Sequence, residues 1–302
     1  MNLYKVKPFL TFKVWGGSKL LGLRGLNTNE NSNPLGETWE VSIHPDGEST
    51  VEGGQKLSSL IEKERLPYLI KFIDTSDNLS VQVHPGQEYA RKVENDNGKN
   101  ECWLILDAEE GSGIYLGFKE GVTEEQFNSY IIENKDVDSL LNFYPVKRGD
   151  FFFIPSGSVH AIGKNITLCE VQRSSGVTYR IWDWNRLDNG KPRELHLKKA
   201  FDVLEFDSKK NKKEFFQFKE DIFANESIDL TEDDLFKVKS AHLEVNQSLK
   251  VSPSERLTSV VVLKGRVKIN EYILNSYESL VLDISNDVSV LALEKSELIV
   301  VS

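Results

Sequence analysis

Alternating and short continuous apolar runs dominate this chain, and sustained helical periods are few. Residues 79–84 read LSVQVH, and a period of two puts Leu79, Val81 and Val83 on one face and Ser80, Gln82 and His84 on the other. Residues 151–154, FFFI, form an apolar run without alternation, which predicts a strand buried on both faces. Pro155, Ser156 and Gly157 then force a tight turn, and the chain re-enters at Val159 with His160 at the start of a return strand. Residues 68–73, YLIKFI, predict a buried strand interrupted by Lys71. Residues 101–106, ECWLIL, predict the next, and 168–171 and 178–184 two more. Over the first forty residues, scattered aromatics and glycines with a polar loop through Asn33 predict loops and short strands rather than helix.

Helical spacing occurs in residues 56–64, KLSSLIEKE, which stops before Pro67, and in one or two turns over 87–94. An insertion near 122–142 opens on Thr123 with Gln126 three residues on, a capping-box pattern, and predicts a helical pair. A last amphipathic helix is expected near 197–204. Residues 207–213, DSKKNKK, read as a linker, after which short apolar segments recur at turn-limited spacing. The expected organisation is a larger unit over 1–207 and a small all-β domain over 214–302. The smaller one holds a single histidine, His242, to which a structural role is assigned.

The 302 residues carry a net charge of -10, from 37 Lys and Arg against 47 Asp and Glu, which disfavours sequence-independent nucleic-acid binding. An anionic ligand therefore requires a local basic cluster. Cys102 and Cys169 both lie in apolar runs, so no disulfide framework is expected and a reduced, cytoplasmic setting fits. The N-terminus lacks the long apolar core of a signal peptide, and no apolar run approaches membrane-spanning length, so no membrane partner is expected.

Gln82 and His84, at i and i+2, project side by side from one strand. Glu101, opening the next aromatic strand with Lys99 just before it, and His160, aimed by its turn, complete a set of two imidazoles, one carboxylate and one amide oxygen. Such a set suits zinc, with cobalt, manganese or iron as alternatives.

The spacing Gly149, five residues, Pro155, one, Gly157, two, His160 resembles the second metal-binding motif of the cupin superfamily. The Asn that usually follows that His after three residues stands after four, as Asn165. With Gln82-Val-His84-Pro85 and Lys99-Asn-Glu101, the resemblance narrows to the type I mannose-6-phosphate isomerases, in their short bacterial form. Further similar segments are Val14-Trp15-Gly16, Gly36-Glu37-Thr-Trp39-Glu40 through His44-Pro45, Tyr68-Leu-Ile-Lys71, and Glu170-Val-Gln-Arg173 through Thr178-Tyr-Arg180.

The resemblance implies a mainly β fold. A cupin-type double-stranded β-helix (jelly roll) with helical insertions would be followed by a smaller all-β C-terminal domain, with a degenerate second cupin as one origin for it. It implies a zinc-dependent aldose-ketose isomerase, with one Zn2+ per chain held by Gln82, His84, Glu101 and His160. Arg180 is then the cation that holds an enediolate or assists ring opening, while Glu170 and Lys99 compete as the proton-transfer or polarising group. Ser80, Lys71 and Trp15 are expected on the substrate side. Arg173 and Lys191 are further sources of phosphate donors; Trp39 reads as core or site wall, His44 as a strand-end structural residue and His196 as a surface or domain-contact residue. The partner is a small sugar phosphate and the chain a monomer or homodimer. The alternatives are another metal-dependent cupin enzyme and a non-catalytic sugar-phosphate-binding cupin.

Overall fold

A computed structural model describes residues 2–26, 33–188, 190–224 and 226–302; the expected loop before Asn33 falls largely outside the described residues. Of the five antiparallel sheets among the described residues, the four larger ones stack in layers and the fifth is the hairpin of Ile43–His44 with Gly47–Glu48. The first is five-stranded, in the order Leu141–Pro145, Gly113–Phe118, His160–Ile162, Val81–Val83, Tyr179–Trp182. The second is six-stranded, in the order Phe151–Ile154, Glu101–Ala108, Ile166–Arg173, Tyr68–Asp74, Leu35–Val41, Phe9–Phe12. These two face each other across a core in which Trp103, Ile105, Phe152 and Leu168 meet Ile114, Leu116 and Ile162.

The other face of the six-stranded sheet is also buried. Tyr68, Ile70, Phe72, Cys102, Leu104, Cys169 and Val171 pack against Val238, Val261, Val281, Ile299 and Val301 of a seven-stranded sheet. Burial on both faces accounts for the continuous apolar runs of 68–73 and 101–106, and both cysteines are free and buried there. A four-stranded sheet over Ser248–Val251, Val288–Ala292, Arg266–Ile269 and Tyr272–Asn275 closes the stack against the far face of the seven-stranded one.

Chain segments cross between the two pairs of sheets. Asn2–Lys7 is a strand of the seven-stranded sheet, in register with Ser279–Asp283. Conversely, the lysine-rich stretch read as a linker forms two 3-10 turns, Ser208–Asn211 and Lys213–Phe216. Its Asn211 side chain accepts from Phe118 N–H at 2.8 Å, and Phe216 is fully buried in the core between the five- and six-stranded sheets. It is therefore packed structure rather than a free linker.

Some local expectations change. Residues 56–64 form two 3-10 turns, Leu57–Ser59 and Lys63–Arg65, instead of one helix: with Leu57 the buried residue of the two turns, the apolar stripe is too short to fix a longer one. The insertion carries one α-helix, Glu124–Ile132, whose Thr123 Oγ1 accepts from Gln126 N–H, and then a 3-10 turn, Val137–Leu140. A short helix, Lys19–Leu23, stands where loops and strands were expected. Leu79 packs with the inner core and not with Val81 and Val83, because the strand begins only at Val81.

Candidate metal centre and cleft

The side chains of interest converge from both sheets of the first pair. Val81 and Val83 are buried under the helical layer, so Gln82 between them faces inward, and His84 follows with the same parity. On the facing sheet Glu101 opens its strand opposite Gln172 and Ile154. His160 opens the strand that pairs with Gln82. The turn before it needs its glycine: Gly157 has φ +88, donates to the His84 carbonyl at 2.9 Å, and a Cβ there would lie 3.1 Å from the Val203 carbonyl oxygen. Asn165 also has a positive φ, +61, in the connection that returns the chain to Ile166–Arg173. Its side chain donates to Glu109 rather than entering the site.

Glu101, His84 and His160 are buried, and one ligand atom from each lies within 4.8 Å of the others. His84 Nδ1–H donates to the Val177 carbonyl and His160 Nδ1–H to the Ser158 carbonyl, each at 2.9 Å, on the tautomers this network assigns. Both Nε2 lone pairs are thereby turned on Glu101, at 3.3 Å from Oε2 and 3.5 Å from Oε1. Two ring lone pairs and a carboxylate facing one another in a buried site call for a cation between them.

The Lys99 ammonium supplies one in this structure, 2.7 Å from Glu101 Oε2 and 3.1 Å from His84 Nε2. It makes an ion pair without hydrogen-bond alignment, and neither Glu101 oxygen accepts an aligned hydrogen bond. The charge states suit metal binding. Burial, with the Lys99 charge beside it, pushes the His84 pKa down to about 4, and burial lowers that of His160. Burial would raise the Glu101 carboxyl, but Lys99 and the two imidazoles override it and hold it well below the usual carboxylate range. Gln82 Nε2 lies 3.2 Å from His160 Nε2 while its Oε1 accepts from Ser80, and the near-symmetric amide can present either atom to the cluster. Two imidazoles, a carboxylate and an amide fit a borderline cation such as zinc.

A cleft of about 310 Å³ opens beside this cluster. Its lining includes Trp15, Lys71, Ser80, Lys99, Glu170 and Arg180, all expected on the substrate side or in proton transfer. It also includes Lys13, Glu37 and Arg193, which the sequence reading did not assign to a site. A groove of about 710 Å³ near the C-terminus is larger but is lined by none of these residues.

The charges of the cleft are unequally matched. Lys71 Nζ lies 3.3 Å from Glu170, 3.9 Å from Glu37 and 4.5 Å from the Trp39 ring centroid, so its charge is already met. Trp103 Nε1–H donates to Glu170 Oε2 at 3.2 Å, and Glu170 Oε1 accepts no aligned hydrogen bond. Arg193 is held by both oxygens of Asp183. Arg180 does not pair with Asp183; its guanidinium donates to the Glu194 carbonyl and its Nε is without a partner. Lys13 has no carboxylate within 4.0 Å among the described residues. Arg173 and Lys191 lie outside the cleft, Arg173 paired with Asp233 and Lys191 exposed. Trp182 and Trp184 pack against each other at a tilt of 48°, ring centroids 4.5 Å apart, outside the lining. His196 Nδ1 accepts from Arg180 N–H, and His44 is buried between Asp46 and Asp96. No helix among the described residues is long and apolar enough to cross a membrane.

Comparison with known proteins is consistent along the chain. Residues 3–102 match the family model described as phosphomannose isomerase type I, catalytic domain. A mannose-6-phosphate isomerase of Bacillus subtilis is 37% identical over 284 residues, covering 88% of each chain. One from Streptococcus mutans is 34% identical over 287 residues, covering 89% of each. The crystal structure of the mannose 6-phosphate isomerase from Bacillus subtilis superposes with a TM-score of 0.84 at 26% identity, over 100% of both chains.

Proposed function

The chain belongs to the type I phosphomannose isomerase family, and from that membership we propose that it interconverts mannose 6-phosphate and fructose 6-phosphate in the cleft beside Glu101. The observation that carries the assignment to this cleft is the buried Glu101 carboxylate facing two Nε2 lone pairs, next to a pocket with more cations than acids. Gln82, His84, Glu101 and His160 would hold one zinc ion per chain, and zinc there supplies a Lewis acid for the developing oxyanion.

The protein's own groups do the rest. The reaction takes the C2 proton of the open-chain aldose, passes through an enediol, and returns a proton to C1, while the O2 proton moves to O1. Glu170 is assigned the carbon-bound proton: Oε1 accepts no aligned hydrogen bond, and Trp103 fixes Oε2. Lys71, 3.3 Å from Glu170 and 3.9 Å from Glu37, holds these two carboxylates in place rather than binding phosphate. Arg180 faces the enediolate. Lys13, with no acid partner among the described residues, and Ser80 take the phosphate. Trp15 walls the cleft.

The test is formation of fructose 6-phosphate from mannose 6-phosphate in a coupled assay, with wild type, Glu170→Gln and His160→Ala. Turnover in wild type, and its loss in both variants, is expected. Wild-type protein that binds the sugar phosphate without converting it would overturn the isomerase reading.

A further inference from the structure

Asp233 lies in the turn between Ser227–Glu232 and Lys237–Leu243, on the seven-stranded sheet and far along the chain from the metal-side residues. It is nevertheless joined to them by hydrogen bonds, buried at Arg173 and half-buried at Asn100. Arg173 clamps it in a fork, Nε to Oδ1 and a terminal nitrogen to Oδ2, both at 2.8 Å. Asn100 Nδ2–H donates to Oδ2 at 2.7 Å. Asn100 is the residue between Lys99 and Glu101. Its own Oδ1 accepts from Ser156 N–H at 2.9 Å, in the turn that delivers His160, and its carbonyl accepts from Arg173 N–H at 3.0 Å. Asp233 is itself fixed, since Oδ1 accepts from Leu235 N–H at 3.0 Å.

One carboxylate from the C-terminal sheets thus reaches, through a single asparagine, both the strand that opens with Glu101 and the turn that aims His160. Asp233 and Arg173 are each 8% exposed, so the fork is dry and its partners cannot be replaced by water without cost. We infer that Asp233 is a positioning residue for the metal centre, and that the C-terminal sheets set the Glu101–His160 separation through Asn100. This rests on the zinc-isomerase reading above.

Three variants separate positioning from simple cohesion of the two sheet pairs. Asp233→Asn removes the charge while keeping the size, and Asn100→Ala cuts the link while leaving the Arg173–Asp233 fork. Arg65→Ala breaks a different ion pair between the same sheet pairs, Arg65 to Asp283 at 2.8 Å, away from the centre. Each is measured for zinc release to excess chelator, for kcat and KM, and for its urea midpoint. Asp233→Asn and Asn100→Ala are expected to release zinc roughly tenfold faster, with lowered kcat and little change in KM. Arg65→Ala is expected to release it at the wild-type rate whatever its urea midpoint. Release unchanged in the first two, or tracking the urea midpoint across all three, overturns the inference while leaving the isomerase reading intact. Wild-type protein that takes up no zinc removes the metal assignment and this inference together.

Discussion

Gln82 and His160 stand opposite each other on adjacent antiparallel strands, with Nε2 atoms 3.2 Å apart. That register makes one sheet supply Gln82, His84 and His160, and leaves the facing sheet to supply Glu101 alone. The single anion of the cluster therefore comes from across the core. Glu101→Gln should keep the fold, since the side chain keeps its volume, but fail to retain zinc on dialysis against a metal buffer in which wild type holds one ion. Metal analysis and circular dichroism on the same samples check this; a metal-loaded Glu101→Gln protein would contradict it.

Acid should weaken the metal-free protein earlier than its carboxylates alone would dictate. His84, pushed down to about 4 by burial and by Lys99, binds its proton less readily folded than unfolded, where the value is 6.5. The unfolded chain therefore gains the proton first. Stability is unaffected by this group above about 6.5 and declines as pH falls from there to about 4, by up to about 3 kcal/mol. Urea titrations at pH 7.5, 5.5 and 4.5 should show that slope in wild type and a shallower one in His84→Gln; parallel slopes would rule His84 out as its source.

Gly157→Ala should cost about 1–3 kcal/mol, because φ +88 disfavours a side chain and the new methyl would press on the Val203 carbonyl. Since the same turn aims His160, zinc affinity should drop along with the thermal midpoint. A destabilised variant with unaltered zinc affinity would show that the turn does not set the ligand's position.

Lys13→Ala should raise KM for mannose 6-phosphate by about tenfold with little change in kcat, the signature of a lost charge-assisted bond to a non-reacting group. Inhibition by inorganic phosphate should weaken in parallel, and Lys13→Arg should restore most of both. Unchanged KM and phosphate inhibition would place the phosphate elsewhere in the cleft.

What the sequence made legible is what local periodicity controls. Alternation in residues 79–84 turned Gln82 and His84 to one face, and the Pro155–Gly157 turn before His160 is as the pattern requires. Glu37, Lys13 and Arg193 were not legible as cleft residues, because strand order and a loop after Asp183 bring them there from distant parts of the chain. Lys71 is expected on the substrate side from its sequence; only the pairing of its strand with those of Glu170 and Trp39 reveals that its charge is met. Arg173 was read as a phosphate donor because its partner, Asp233, lies sixty residues on in the chain. The exchange of Asn2–Lys7 into the C-terminal sheet leaves no local signature, since an alternating strand reads the same whichever sheet receives it.

One zinc ion between Glu101 and two imidazoles is proposed to make this cleft an isomerase. The most direct test of this adds zinc in substoichiometric steps to metal-free protein while fructose 6-phosphate formation from mannose 6-phosphate is followed. Activity should rise in proportion to zinc and level off at one equivalent per chain. Full activity before any zinc is added, or none at any zinc level, would contradict it.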